Sequence, residues 1–246
     1  MLCTIVRILG NENPPRDHPG KRLAILQTIL ETEPNFPEVG KHYLINRVWD
    51  SAYEAKLTAL LQQYHASYSV VPFNWAIPMT HDAICQQGIG INQARNAAIE
   101  WGKQQAKYTI VLDGDCQFTR EGLQPVLKEM VEGKYAYLSI PFRREATQKP
   151  EEPQLAFRFD ALLRFNEDLL FGANDKLELL FQLGHDSTPY SDHLQILGEQ
   201  TRLVGEVMHH TTGDVAAERD NQLRQKLRRD SLAKLVQRIQ KRKTEL

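Results

Sequence analysis

Residues 108–115 read YTIVLDGD, an unbroken apolar run that ends abruptly in two acids, Asp113 and Asp115. Such a run predicts a buried central strand of a parallel sheet. Open α/β sheets bind ligands in the crevice beyond the carboxyl ends of their strands. We therefore expect the functional site at the edge of the sheet where this strand stops.

The surrounding sequence extends the same pattern. Apolar runs alternate with amphipathic runs through the first 140 residues, which favours a mostly parallel sheet flanked by helices. Strands are predicted over 4–9, 43–45, 68–73, 108–112 and 135–142, and helices over 23–30, 51–64, 92–101 and 123–130. The predicted fold class is therefore α/β.

The remaining sequence is less regular. The polar segment 143–153, RREATQKPEEP, predicts a mobile loop, and the alternation over 155–165 predicts one or two half-buried strands. A helix around 177–181 should end at Gly184, and 202–210 predicts a last strand. We expect one domain over 1–213 and a basic helical extension over 214–246.

Bulk properties restrict the class of protein. The 246 residues are 41% hydrophobic and 25% charged, with a formal net charge of −1, as in ordinary globular proteins. The three cysteines form no C-x-x-C pair, so neither a disulfide framework nor a zinc knuckle is indicated. No run approaches the about 18 apolar residues of a membrane span, and we expect a cytoplasmic protein.

The spacing of Asp113 and Asp115 suggests a metal. Two carboxylates separated by one residue can share Mg²⁺ or Mn²⁺, which in turn clamps two phosphates. That chemistry suits a diphosphate leaving group, which gains negative charge when its bond to a sugar breaks. The alternative is a turn that exposes two solvated acids.

The sequence before these acids carries a family resemblance. Gly90 to Asn96, GINQARN, followed by a helix, a strand and D-G-D, resembles the G-x-x-x-A-R-N…D-x-D arrangement of family 2 glycosyltransferases and their GT-A relatives. The resemblance covers residues 88–115 well, and the N-terminal part and residues 165–184 more loosely. It implies a GT-A fold that moves a sugar from a nucleotide-diphosphate donor to a glycan or other hydroxyl acceptor.

The resemblance also implies roles for single residues. Arg95 and Asp113 would bind the donor, and Asp115 would bind the metal. Phe165-Asn166-Glu167 and Asn174-Asp175 resemble the family's F-D-E…E-D-x-x-L segment, which makes Asp175 the implied catalytic base of an inverting enzyme. Two departures weaken this match: Asn174 replaces a glutamate, and a later arginine is missing from the helix. Asp175 could instead cap that helix, and Arg95 could face water.

The resemblance leaves the donor-binding acid and the metal-binding histidine undecided. Asp50 is the acid nearest to the family's base-reading position, but it could simply cap the helix at Ser51, where Ser51-x-x-Glu54 forms a potential capping box. Many GT-A enzymes use a late histidine as a metal ligand, which implies His209 or His210. Only one of these neighbours can point inward from a strand.

The C-terminal segment leaves several interpretations. Its apolar positions are too irregular for a heptad repeat, and it lacks the aromatic interleaving of nucleic-acid-binding proteins. We expect a solvated arm, with peripheral membrane contact or a partner helix as alternatives. For the whole chain, the alternative to an enzyme is a catalytically silent nucleotide- or carbohydrate-binding subunit.

Overall fold

The computed structural model describes residues 1–146, 150–169, 176–185 and 201–245. Within these residues one sheet contains nine strands: β1 Cys3–Leu9, β2 Val39–Asn46, β3 Ser67–Val71, β4 Tyr108–Asp113, β5 Cys116–Gln117, β6 Tyr137–Arg144, β7 Pro150–Arg158, β8 Thr201–Leu203 and β9 Val207–His209. The helices are α1 Lys21–Thr32, α2 Ser51–Gln63, α3 His81–Gly88, α4 Ile91–Lys103, α5 Arg120–Glu132, α6 Leu177–Gln182, α7 Val215–Arg219 and α8 Asn221–Glu245. This is the predicted α/β architecture.

The first half of the sheet is parallel. β1 lies between β2 and β4, and β3 pairs with the outer side of β2, all in parallel. The carboxyl ends of β1, β2 and β4 therefore meet at one edge, with Ile8 directly beside Asp113. The sequence predicted this edge as the functional one.

The second half mixes directions. β7 pairs antiparallel with both β4 and β6, and β9 runs parallel to β6. The short β5 pairs antiparallel with β9, which sets Cys116 opposite His209. Because Cys116 follows Asp115 directly, this pairing brings a late segment of the chain to the end of β4.

The two faces of the sheet are covered by different helices. Val6, Ile8 and Val111 pack with Ala94 and Ala98 of α4 on one face. On the other face, Ile5, Ile110 and Leu112 pack with the apolar side of α5, formed by Leu123, Val126, Leu127 and Met130. Successive strand residues point to opposite faces, so a strand covered on both sides must be apolar at nearly every position. The long apolar runs of β1 and β4 follow from this.

Two predicted segments differ from the structure. Residues 143–153 were expected to form a loop, but β6 extends to Arg144 and β7 begins at Pro150, with Phe142 opposite Glu151. A proline is tolerated at the first position of a strand, and these outer residues do not need an apolar pattern. The strand predicted over 202–210 is two strands, because Gly205 interrupts it at a φ of 67°.

The C-terminal helix corrects the expectation of a solvated arm. Leu235, Val236 and Ile239 of α8 are buried against α3, where they form a cluster with Ile84 and Cys85. The amide of Gln240 also donates to the carbonyl of Met79 at 3.0 Å. The apolar positions of α8 are sparse because its buried apolar residues form only one narrow stripe of the helix.

No described helix is both long enough and apolar enough to cross a membrane.

Candidate functional site

A pocket opens at the edge where β1, β2 and β4 end. It has a volume of about 110 Å³, and its wall is formed by residues from both sequence motifs and from the loop after β1. The lining side chains that bear charge or amide groups are Asn11, Asn13, Arg16, Arg22, Asn46, Arg95, Asp113, Asp115 and His209. Arg95, Asp113, Asp115 and His209 were predicted as site residues.

Asp113 and Arg95 form an ion pair inside the pocket. Arg95 Nη2 donates to Asp113 Oδ1 at 3.1 Å, and Gln154 Nε2 donates to the other carboxylate oxygen at 3.2 Å. Burial would raise the pKa of Asp113, but the positive charges of Arg95 and Lys176 outweigh it and hold that pKa below its ordinary value. Asp113 therefore stays ionised and fixes Arg95 at the pocket wall.

Asp115 and His209 lie next to each other in the wall of the pocket. His209 Nε2 lies 3.5 Å from Asp115 Oδ1, and both side chains are about nine-tenths buried. The chain turns between the two acids at Gly114, where a side chain does not fit, because a Cβ at that position would lie 2.6 Å from the carbonyl oxygen of Ile8. The two acids of the motif thus have different surroundings: Asp113 holds an arginine, and Asp115 faces a histidine.

His210 points elsewhere. Its Nε2 lies 2.7 Å from Gln117 Oε1, and its Nδ1 lies 3.4 Å from Glu145 Oε2. Its backbone N–H donates to the carbonyl of Asp115 at 2.8 Å, so it supports the turn while its side chain leaves the pocket. Of the two candidate histidines, His209 is the one beside Asp115.

The pair Asp115 and His209 is chemically suited to a divalent cation. Carboxylate and neutral imidazole are both common metal ligands, and Mg²⁺ typically uses one or two carboxylates together with phosphates and waters. In the part of the chain that the structure describes, no group of three or more histidine, cysteine, aspartate or glutamate side chains could hold a metal. The protein residues fit a cation that shares its coordination with a bound phosphate.

The two motifs of the resemblance contact each other. Asn96 Nδ2 donates to the carbonyl of Phe165 at 2.9 Å, and Asn96 Oδ1 accepts from the Phe165 N–H at 3.0 Å. Asn92 Nδ2 donates to the carbonyl of Asn166 at 2.8 Å, and the guanidinium of Arg95 lies 5.2 Å from the Phe165 ring centre. The first helical turns of α4 therefore position the segment that leads towards Asp175.

Asp175 itself lies outside the described residues, as does Asn174. Its predicted role as catalytic base stays a prediction. The helix that follows is present as α6, and Gly184 after it has a φ of 90°.

Asp50 lies outside this pocket. Its side chain caps α2 by accepting from the N–H groups of Ala52 and Tyr53 at 2.9 and 3.3 Å, so it takes the place of the predicted Ser51 cap. It lines a neighbouring groove of about 520 Å³ that also includes Asn11. Asn46, four residues earlier and at the end of β2, lines the pocket instead. A donor-binding role for Asp50 remains a prediction.

Sequence reasoning missed the arginines of the first loop and helix. Arg16 and Arg22 both line the pocket, and Arg22 Nε donates to the buried Asp17 at 2.7 Å. Burial lowers the pKa of Arg22, but the negative charges of Asp17 and Asp115 raise it above its ordinary value. Thr212 also donates to Asp17, at 2.8 Å, which ties the loop to the segment after His209. Nothing local in the sequence distinguishes these arginines from surface residues.

Two asparagines fix the loops of the pocket. Asn11 donates to the carbonyls of Arg47 and Gly88 at 3.0 and 2.7 Å, and it accepts from the Trp49 N–H at 3.1 Å. Asn46 donates to the carbonyl of Ile89 at 2.8 Å. Buried amides must satisfy their donors and acceptors, so these contacts hold three separate loops together.

A buried ion pair supports the turn behind Asp115. Arg7, in the middle of β1, donates to Glu33 at 2.6 Å and to the carbonyl of Cys116 at 3.0 Å. Glu33 in turn accepts from the Phe118 N–H at 3.0 Å. An arginine inside an apolar strand was the available sequence signal for this support, and it was not recognised.

Residues 83–186 match the family model described as glycosyl transferase family 2. This range contains Arg95, Asp113, Asp115 and the segment around Asp175. No curated protein sequence matches the chain significantly.

Solved glycosyltransferases resemble the fold. The crystal structure of Staphylococcus aureus TarS 1-349 in complex with UDP-GlcNAc matches with a TM-score of 0.53 and 11% identity, over 85% of this chain and 58% of that chain. The mannosyltransferase PcManGT from Pyrobaculum calidifontis, in complex with GDP-Man and Mn²⁺, matches with a TM-score of 0.51 and 12% identity, over 85% and 56%. These matches establish a GT-A fold, and the chain spans just over half the length of either structure.

Proposed function

We propose that this chain transfers a sugar from a nucleotide-diphosphate donor to an acceptor hydroxyl, because residues 83–186 match the glycosyl transferase family 2 model and the fold is GT-A. One observation carries this proposal: Arg95 with Asp113 and Asp115 with His209 line a single pocket where the parallel strands end. Neighbours of this fold are bound to UDP-GlcNAc and GDP-Man, which supports a nucleotide-sugar as the donor class.

The charges of the pocket suit a diphosphate. Arg16 and Arg22 line it together with the Arg95–Asp113 pair and Asp115, and Arg22 is also paired with the buried Asp17. Guanidinium groups bind phosphate oxygens with two parallel hydrogen bonds and keep their charge at any physiological pH. We assign the diphosphate to the part of the pocket bordered by Arg16 and Arg22.

The same pocket supports a divalent cation. Asp115 and His209 would hold Mg²⁺ or Mn²⁺, and the PcManGT neighbour carries Mn²⁺. A bound cation offsets the negative charge that the diphosphate gains on leaving. The hydrogen bond to Asp113 fixes the Arg95 side chain in the wall of the pocket, so that this side chain is already positioned before the donor binds.

Acceptor activation is assigned to Asp175. In this mechanism its carboxylate takes the proton of the acceptor hydroxyl as the oxygen forms a bond to the anomeric carbon. The bond between that carbon and the diphosphate oxygen breaks, and the nucleotide diphosphate leaves with the electron pair. Attack from the side opposite the leaving group inverts the anomeric centre. The resemblance of Phe165-Asn166-Glu167 and Asn174-Asp175 to the family's F-D-E…E-D-x-x-L segment supports this role.

The decisive experiment measures nucleotide-diphosphate release from a panel of UDP, GDP, CDP and dTDP sugars, with Mn²⁺, Mg²⁺ or EDTA. We expect release from one donor class that EDTA abolishes. Replacing Asp115 with Asn should lower kcat/KM at least about a hundredfold, because metal sites lose 10–100-fold even when an outer partner is removed. Asp82→Asn is the matched control, since Asp82 is an exposed aspartate on α3.

A second variant separates the roles. Asp175→Asn should keep donor binding and lose transfer to the acceptor. If it loses both equally, Asp175 is not the base. A folded protein that binds nucleotide but releases none with any donor would instead support the silent-subunit alternative.

A further inference from the structure

The C-terminal helix holds a concentration of positive charge that the proposed donor site does not use. α8 contains nine lysine and arginine residues and two acids, which gives it a formal charge of +7. Because the whole chain has a net charge of −1, the remaining residues together carry −8. A protein that is nearly neutral overall is therefore a strong charge dipole, with α8 as its positive end.

Most of the α8 cations are exposed, and Arg238 and Lys241 among them border the groove beside Asp50. The buried stripe is formed by Leu235, Val236 and Ile239, and the opposite half is exposed. We call that half the α8 basic face, defined by the exposed cations Lys226, Arg229, Lys234, Arg238 and Lys241. Within the described residues, the side chains of these five make no hydrogen bond or ion pair.

The face is straight and firmly attached. From Lys226 to Lys241 the helix rises about 22 Å at 1.5 Å per residue. Leu235 and Ile239 lie against Gly88, where a Cβ would come within 3.2 and 3.3 Å of their side chains. The cations are thus held on a helix that is packed onto the domain, which lowers the entropy lost when they bind together.

We propose that the α8 basic face binds the surface of an anionic membrane. Charge complementarity carries this assignment: lysine and arginine near an anionic lipid surface are attracted to it, while the net negative remainder of the protein is repelled and turns away. α8 contains no aromatic residue, and its apolar side chains Leu235, Val236 and Ile239 are buried against the protein. The contact is therefore electrostatic adsorption without insertion of the helix.

The same chemistry disfavours nucleic acid as the occupant. Sequence-tolerant binding of single strands uses aromatic side chains on which bases stack, and α8 has none. A nucleic acid longer than α8 would also extend past the helix, where the net negative charge of the rest of the protein would repel it. A lipid surface, being planar, contacts the basic face alone.

Membrane binding would place the donor site near the lipid. Arg238 and Lys241 border the groove that also contains Asn11, and Asn11 lines the donor pocket as well. An acceptor presented at the membrane could therefore reach the protein without leaving the surface. The adsorption itself does not depend on the proposed sugar transfer.

The test is co-sedimentation of the full chain with vesicles of phosphatidylcholine alone or with one-third phosphatidylglycerol. We expect binding to the anionic vesicles only, and release by high salt, because the attraction is screened. The triple variant Lys226→Gln, Arg229→Gln, Lys234→Gln should bind about a hundredfold more weakly, since each cation near the surface contributes about fivefold. These three residues border neither the donor pocket nor the groove.

A charge-matched control makes the result specific. Lys21→Gln, Lys128→Gln, Lys134→Gln removes three exposed cations outside α8 and should bind like the unmodified protein. Both variants should bind nucleotide equally, which separates this proposal from the proposed activity. Equal loss in both variants, binding to neutral vesicles, or binding to single-stranded RNA but not to vesicles would overturn it.

Discussion

Arg95 connects three features of the site at the scale of a single residue. It pairs with Asp113, donates to Asn92 Oδ1 at 2.9 Å, and lies beside the Phe165 ring. Its charge is also the main reason that the pKa of Asp113 stays low against the effect of burial. Arg95 therefore lines the pocket and is also part of the buried core.

Replacing Arg95 with Ala should destabilise the protein by about 2 kcal/mol at pH 7. Removal leaves Asp113 as a partly desolvated charge, and the 26% exposure of its side chain keeps the loss below that of a fully buried pair. Because the folded-state pKa of Asp113 is lowered, this stability is present above the ordinary carboxyl pKa and is lost as pH falls below it. Urea unfolding from pH 7 to pH 3 measures the difference.

Arg95→Lys is the matched control and should recover part of the stability, because it keeps the charge without the paired geometry. An Arg95→Ala variant as stable as the unmodified protein at pH 7 would contradict the assigned ion pair.

At the scale of elements, β2 and β3 share a buried histidine. His42 lies between Ser67 Oγ and Ser69 Oγ, at 2.8 and 2.9 Å from its two ring nitrogens, and stacks on Trp101 at 3.7 Å. Burial lowers its pKa to about 4. The folded protein therefore holds this ring neutral under conditions where an unfolded chain takes up a proton.

The protein should lose stability as pH falls from about 6.5 to about 4. Over this window the unfolded state binds a proton at His42 that the folded state does not, so protonation favours unfolding. The pKa of His185 is lowered by burial too and adds to the same trend. His42→Gln should be less stable at pH 7 and show a flatter pH profile of melting temperature. An unchanged profile would show that His42 is not held neutral.

α8 supports the pocket through α3. Leu235 packs on Gly88, whose carbonyl accepts from Asn11, and both Gly88 and Asn11 line the pocket. Leu235→Ala should cost about 2–5 kcal/mol of stability by leaving a cavity. It should also weaken nucleotide binding, because Gly88, which lines the pocket, loses the side chain that packs against it. Calorimetric unfolding and nucleotide titration measure the two effects.

Lys234→Ala provides the control, since its side chain is exposed on the same turn. If Leu235→Ala lowered stability with no change in nucleotide affinity, α8 would be only a structural element.

The whole molecule shows where sequence reasoning succeeds. The parallel core could be predicted because strands covered on both faces leave long apolar runs, and Asp113 and Asp115 stand out where such a run stops. Arg95 was reached through the motif around it. Each of these signals lies within a few neighbouring residues.

Other features depended on contacts between distant segments. The choice between His209 and His210 follows from the pairing of Cys116 with His209, across more than 90 residues of sequence. Arg22 is positioned by its ion pair with Asp17, which also accepts a hydrogen bond from Thr212. α8 is positioned by its contact with α3. A local pattern cannot express such long-range pairings, so the choice between the histidines stayed open, Arg22 was missed and α8 was misjudged as a solvated arm.

We propose that one pocket of this protein binds a nucleotide diphosphate together with a divalent cation. The most direct test is a thermal-shift panel of UDP, GDP, CDP and dTDP with Mn²⁺, Mg²⁺ or EDTA, on the unmodified protein and on Asp115→Asn. A ligand at a hundredfold excess over its Kd stabilises the folded state by about 2.7 kcal/mol. We predict a shift with one nucleotide that needs the metal and is lost in Asp115→Asn. No shift with any nucleotide, in well-folded protein, would contradict the claim.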